Sequence, residues 1–241
     1  MNPPYKPSQI AIRGAMTTGL WLFGGLLLGF VAASLFHGLP MHLPESRRTQ
    51  ISMLIVLVAL VGSGFAWGRA MARLTGATEP GRMAWAGALS FGPALILAAL
   101  ALGRLEVALI ERGEGPDLPV HLVFTLLFVP AAIFVAGTGG FSLGLAREGF
   151  RLALRLALTS GLAGGMAFLL INLVMFQLGY KVGAPGAAER ATMLTVMMAG
   201  SLGAALAGGA AIGVALGAPG AIDTMDKRYA INEVSGENQA D

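Results

Sequence analysis

The chain contains no cysteine, which excludes disulfides, thiolate metal sites and cysteine nucleophiles and leaves the redox compartment open. Charge is scarce as well. Asp, Glu, Lys and Arg supply 12% of 241 residues, against roughly 25% in an ordinary soluble domain. None of that charge falls in the middle of a long apolar run. A charge at the centre of a bilayer costs about 3 kcal/mol or more and marks an ion or proton path. Its absence argues against carboxylate-coupled proton or sodium transport and against an intramembrane hydrolase. The chain also lacks the H-E-x-x-H and G-x-S-x-G patterns, and GTGGFSLG at 137–144 has no phosphate-loop lysine. No enzymatic activity and no cofactor are expected.

Apolar residues, in contrast, are abundant: 55% of the chain, with a mean hydropathy of +0.71. They lie in blocks at about 13–36, 51–74, 83–105, 119–145, 152–178 and 192–217. A helix needs about 20 apolar residues to cross a hydrocarbon core, and these blocks lack the period-2 alternation of barrel strands. The sequence therefore predicts an all-α, polytopic integral membrane protein with six transmembrane helices. The domain layout that follows is an N-terminal cytoplasmic segment at 1–12, a six-helix domain at 13–217, and a polar, disordered cytoplasmic tail at 218–241. The acidic stretch RLEVALIERGEGPD at 104–117 reads as an amphipathic extension of the third helix.

Of the 16 Lys and Arg residues, ten fall on the side shared by Lys6, Arg13, Arg69, Arg73, Arg82, Arg147 and Lys227. Arg47, Arg48, Arg104, Arg112, Lys181 and Arg190 lie opposite. Positive charge concentrates on the cytoplasmic side of membrane proteins. A cell-membrane location with both termini cytoplasmic is the expected topology. The same clustering at helix ends explains a pI of 9.7 through topology, so the lipid bilayer, and not nucleic acid, is the expected partner.

With 35 glycines in the chain, one pattern recurs three times: SGFAWGRA from Ser63, GGFSLGLA from Gly139 and GGAAIGVA from Gly208. Each copy closes an even-numbered span. The odd spans open on RGAMTTGL, RMAWAGAL and RLALTSGL, from Arg13, Arg82 and Arg155. Three repeated helical hairpins, at about 13–74, 83–145 and 152–217, account for both series. A second alignment pairs the first and last hairpins and leaves the middle one as a linker. Glycines four apart strip a helix face and let backbones approach, so Gly64, Gly68, Gly140, Gly144, Gly209 and Gly213 are the expected helix-packing positions.

Few polar groups remain as candidates for chemistry. Asn172 is the most interior amide and the expected polar contact of any central cavity, although such amides usually serve packing. The Ser and Thr hydroxyls can bond to their own helix backbone, and Pro93 and Pro130 are expected to kink the third and fourth helices. Arg147, Arg151 and Arg155 recur every fourth residue and would form a basic stripe for lipid headgroups if the fifth helix began early. His37, Met41, His42 and His121 are soft ligand types, but their spacing fits no helical ligand pair, and no metal site is expected. Six spans without a soluble domain fit a transport component, a permease or substrate-binding membrane subunit for a neutral or lipophilic solute. The alternative is a structural subunit that presents its small-residue faces to membrane-protein partners.

Overall fold

A computed structural model describes residues 7–39, 43–111, 120–178 and 187–217. The described chain is helical, with no strand. The helices are α1 (Pro7–Thr18), α2 (Gly24–His37), α3 (Glu45–Leu74), α4 (Pro80–Glu111), α5 (Val120–Arg147), α6 (Phe150–Gln177) and α7 (Ala187–Gly217). A π-helical segment, Gly19–Phe23, joins α1 to α2 without a break in the rod. Five stretches are long and apolar enough to cross a membrane: Ser8–His37, Glu45–Leu74, Phe128–Arg147, Phe150–Gln177 and Thr195–Gly217. With α4 at 32 residues, the protein is an all-α, multi-pass membrane protein of five to six spans.

Local sequence sets the helix ends. Pro44, in extended conformation, precedes α3, and Glu45 places an anion in its first turn, where the helix dipole favours negative charge. At the other end, Thr75 turns its hydroxyl back onto the Met71 carbonyl at 2.8 Å. Gly76 then takes a φ of +64°, a conformation that stops a helix at little cost only for glycine. The α5–α6 turn uses the same device: the amides of Glu148 and Gly149 both donate to Gly144 O, at 3.1 and 3.3 Å, and Gly149 has a φ of +103°. Helices α4 and α5 run through Pro93 and Pro130.

Several helices outrun their apolar blocks. Helix α1 starts at Pro7, inside the predicted N-terminal segment 1–12, and α3 starts at Glu45. Helix α4 continues to Glu111, so the predicted extension of the third helix covers 104–111. The predicted tail at 218–241 lies outside the described residues, as do Met41, His42 and the side chain of His121.

Short connections make successive rods antiparallel, and each packs on the next: α2 on α3, α3 on α4, α4 on α5, α5 on α6 and α6 on α7. Helix α7 returns to α1, which closes the set into a ring. Ile10 touches both Gly213 and Gly217, so the two described chain ends share one end of the ring, here the terminal end. That end is filled. Leu22, Trp67, Met71, Ala72, Met83, Leu143, Ala146, Leu156, Ile212 and Leu216 form one buried cluster there. Large apolar side chains such as Leu28, Val58, Leu89, Leu158 and Leu170 stay exposed on the outer faces, where acyl chains solvate them.

Candidate functional site

Three seams draw the terminal end of the ring tight, and each is built on glycine. A methyl group on Gly14 would come within 2.6 Å of Gly209 O and 3.3 Å of the Gly213 Cα. On the α3–α4 seam, a methyl on Gly64 would overlap the Gly87 carbonyl, and one on Gly68 the Met83 carbonyl. On the α5–α6 seam, a methyl on Gly140 would meet Leu156 O at 2.5 Å and one on Gly144 the Ala153 Cα at 2.5 Å. These obstacles are backbone atoms, which cannot swing aside as a flexible side chain can. The six predicted packing glycines therefore face this chain's own helices. Their partners fall in register: Gly64, Gly140 and Gly209 sit over Gly87, Leu156 and Gly14, while Gly68, Gly144 and Gly213 sit over Met83, Leu152 with Ala153, and Ile10. Arg13 and Arg155 each precede an equivalent position by one residue, whereas Arg82 precedes Gly87 by five. The arginine-led alignment of the odd spans thus slips at Arg82.

Beyond these seams the rods surround a cavity of about 360 Å³. Its floor is Trp67, wholly buried, with Phe91 set edge-on at 5.1 Å between ring centroids. Gly139 makes room for both rings, since a methyl there would lie 2.8 Å from Phe91 and 3.4 Å from Trp67. The indole Nε1–H donates to Thr18 Oγ1 at 2.9 Å, and the Thr18 hydroxyl donates to Gly14 O at 2.7 Å. An indole N–H in an apolar site needs such a partner. Thr18 supplies it while committing its own proton to its helix. The floor offers a ligand aromatic surface and no free donor.

The walls rise from every rod. Leu22, Phe23, Leu26 and Phe30 come from the first, Leu95 and Ala98 from α4, Phe128, Ala132 and Val135 from α5, Phe168 from α6, and Met197, Ser201, Ala205 and Gly208 from α7. The π-helical turn at Gly19–Phe23 lies at the level of the floor. One extra residue in a turn re-aims everything beyond it, and such bulges concentrate at functional sites. Here it carries the face with Phe23, Leu26 and Phe30 onto the cavity. Ser201 is the one lining hydroxyl above Thr18 among the described residues. The arrangement holds hydrocarbon or aromatic groups and has no set of groups for bond chemistry. No group of three His, Asp or Glu side chains that could hold a metal occurs among the described residues.

Asn172 is buried, at 4% exposure, but lies off the cavity. Its Nδ2 donates to Phe168 O at 2.7 Å and faces Gly200, where a methyl would come within 3.1 Å of it. Its Oδ1 is buried with no hydrogen-bond partner among the described residues. Phe168, one turn earlier on α6, lines the cavity in its place. Arg147, Arg151 and Arg155 do not share one stripe, because the turn at Gly149 separates α5 from α6. The Arg147 side chain is 7% exposed beside Glu148, at 3.5 Å, and its Nη1 donates to Leu216 O at 2.9 Å. It thereby ties the end of α5 to the last turn of α7, where a cation complements the helix dipole. Arg151 and Arg155 are exposed on α6. Hydroxyls bond locally as expected, Ser63 to Ala59 O and Thr138 to Phe134 O. Ser160 also reaches across the seam to Ala136 O, at 2.9 Å.

Comparison of the chain with protein-family models, with curated proteins and with solved structures finds no match. Geometry and chemistry therefore carry the functional reading.

Proposed function

We propose that this membrane protein is a transport component that binds a neutral, lipophilic solute in the cavity enclosed by its helices. The supporting observation is the cavity itself: about 360 Å³, walled by side chains from all rods, aromatic at the floor, and nearly devoid of free polar groups. Ligand sites in membrane bundles are concave, mostly apolar and carry few polar contacts, and this one has none that would favour a charged or sugar-like solute. The cavity lies to one side of the tight terminal end, the asymmetry that a carrier stopped on one side of its cycle would have.

The competing reading, a scaffold subunit that offers glycine faces to partners, loses its main support. Those faces are occupied by α1, α4 and α6 of the same chain. The equivalent footing of the three seams favours a three-hairpin repeat about an axis along the membrane normal, a parallel arrangement unlike inverted-repeat carriers. In the proposed topology both termini are cytoplasmic, so the cavity lies on the outer side of the glycine seams. The test is solute flux: proteoliposomes with the purified protein should move an uncharged lipophilic fluorophore across the bilayer faster than protein-free vesicles. Equal rates across a panel of such solutes would refute the reading.

A further inference from the structure

The cavity lining is aromatic to a degree that the composition of the chain does not supply. Six of the 22 described residues around it are Phe or Trp, whereas Phe, Trp and Tyr make up 7% of the whole chain. Leu, Ile and Val are far commoner in the chain, yet they supply only five of the same 22. A site for hydrocarbon of any shape would draw mainly on the aliphatic residues. This one concentrates rings.

The rings come from several rods. Phe23 and Phe30 on the first rod, Phe91 on α4 and Phe128 on α5 line the cavity and keep accessible surface. Phe168 and Trp67 are almost wholly covered, at 3% and 0% exposure, and the edge-on contact with Trp67 at 83° holds Phe91 in place. A ring attracts another ring beyond what buried area alone gives, and the Met197 thioether on α7 adds a sulfur that favours the same partner. Near the floor α5 and α7 close in: a methyl on Gly208 would lie 3.5 Å from the Ala136 Cβ. A thin body fits that narrowing better than a thick one. The volume of about 360 Å³ lies near the lower end of the roughly 300–1,000 Å³ usual for small-molecule pockets, which calls for a compact occupant.

Ser201 supplies the polar contact. Ser63, Ser90 and Ser160, the buried serines of α3, α4 and α6, each donate to a backbone carbonyl. Ser201 lines the cavity and makes no hydrogen bond among the described residues. It sits one residue from the middle of α7, Ala187–Gly217, at the depth of the hydrocarbon core, where a hydroxyl left without a partner is costly. A serine hydroxyl can either donate or accept. Gly209, which faces Thr18 at the floor, is eight residues on, or about 12 Å along the helix. A ring system of two or three fused rings spans that distance with one oxygen left at the level of Ser201.

Resting on the proposed cavity function, we infer that the solute is a neutral, planar aromatic compound carrying one hydroxyl or carbonyl oxygen, its rings held among Phe23, Phe91 and Phe128 and its oxygen bonded to Ser201. The class excludes plain acyl chains and saturated ring systems as preferred occupants.

Three probes of similar size separate the terms: 2-naphthol, naphthalene without the oxygen, and decahydro-2-naphthol without the aromatic rings. Equilibrium dialysis against the protein in nanodiscs, with empty nanodiscs subtracting uptake by the lipid, reads binding of each. The expected result is 2-naphthol bound about tenfold more tightly than decahydro-2-naphthol, with the preference lost in Phe23→Leu/Phe128→Leu, which keeps the lining apolar. Phe23→Leu alone replaces the pair should it misfold, and should then weaken the preference. Ser201→Ala should weaken 2-naphthol about fivefold and leave naphthalene unchanged. Equal binding of the aromatic and saturated probes, or a preference that survives loss of the phenyl rings, overturns the inference; so does a Ser201→Ala protein that binds 2-naphthol as the wild type does. If in those cases Ala205→Phe, which fills the cavity from α7, still abolishes binding, the cavity holds lipophilic solutes and the proposed function stands. Ala132→Phe fills it from α5 and replaces Ala205→Phe should that variant misfold. No probe bound above empty nanodiscs, or binding unchanged in the filled protein, defeats both.

Discussion

Replacing Gly144 by alanine isolates the close helix approach that shapes the ring. Alanine is the better helix former by about 1 kcal/mol, so propensity alone makes the change stabilising. Steric crowding at the seam opposes it more strongly. The new methyl would lie 2.5 Å from the Ala153 Cα, 2.6 Å from its nitrogen and 2.9 Å from the Leu152 carbonyl carbon. The first of these is about 0.9 Å short of ordinary contact at 3.4 Å. All three atoms are backbone, so α6 must move as a body, held close by the short turn at Glu148–Gly149. A gap of about that width forfeits a quarter to a half of each dispersion contact along the seam, and overpacking typically costs about 1–3 kcal/mol. The net expectation is a loss of about 0–2 kcal/mol after the propensity gain, and a deficit of about 1–3 kcal/mol against an uncrowded glycine-to-alanine change. Gly62→Ala is the control, because a methyl there meets nothing within 4 Å. Unfolding of both variants in mixed micelles by SDS titration, read by circular dichroism, measures the difference. Gly144→Ala as stable as Gly62→Ala would refute the backbone-on-backbone packing of the seams.

Other expectations follow from single contacts. Gly149→Ala also meets open space, but the φ of +103° should make it cost about 1–3 kcal/mol through backbone strain alone, in the same titration. Thr18→Val keeps the shape and strands the buried Trp67 N–H, for an expected loss of about 1–3 kcal/mol, whereas Thr18→Ser should be nearly silent; a red-shifted Trp67 emission in the valine variant would mark water drawn to the orphaned donor. Because the chain has no cysteine, single cysteines report topology cleanly. Ser46→Cys should react with a membrane-impermeant maleimide in intact cells and Thr78→Cys only after lysis; the reverse order would invert the topology.

Much of the architecture is legible in the sequence because lipid imposes a simple rule: long apolar runs become helices. The ends are less so. Hydropathy registers only the hydrocarbon-facing part of a helix, so the polar turns at Pro7–Ala11 and Glu45–Gln50 look like loops in sequence. The π-helical turn leaves no mark in composition, since adding a residue to a turn changes which face points inward without changing hydrophobicity. Asn172 draws attention as the most polar interior residue, yet the cavity is lined by aromatics that look like ordinary lipid-facing side chains in a one-dimensional reading. The spacing of Phe23, Leu26 and Phe30 is a usable signal, but only with the bulge known. Gly149 holds the clue to Arg147: a glycine between two helical runs turns the next helix around and sends the preceding arginine elsewhere.

That the helices enclose a site for a lipophilic molecule is tested most directly by native mass spectrometry of the protein released from nanodiscs made with its own membrane lipids. The expected spectrum shows a wild-type adduct of uncharged lipophilic mass that is absent from folded Ala205→Phe. A bare wild-type chain, or the same adduct on both proteins, would contradict the cavity's proposed role.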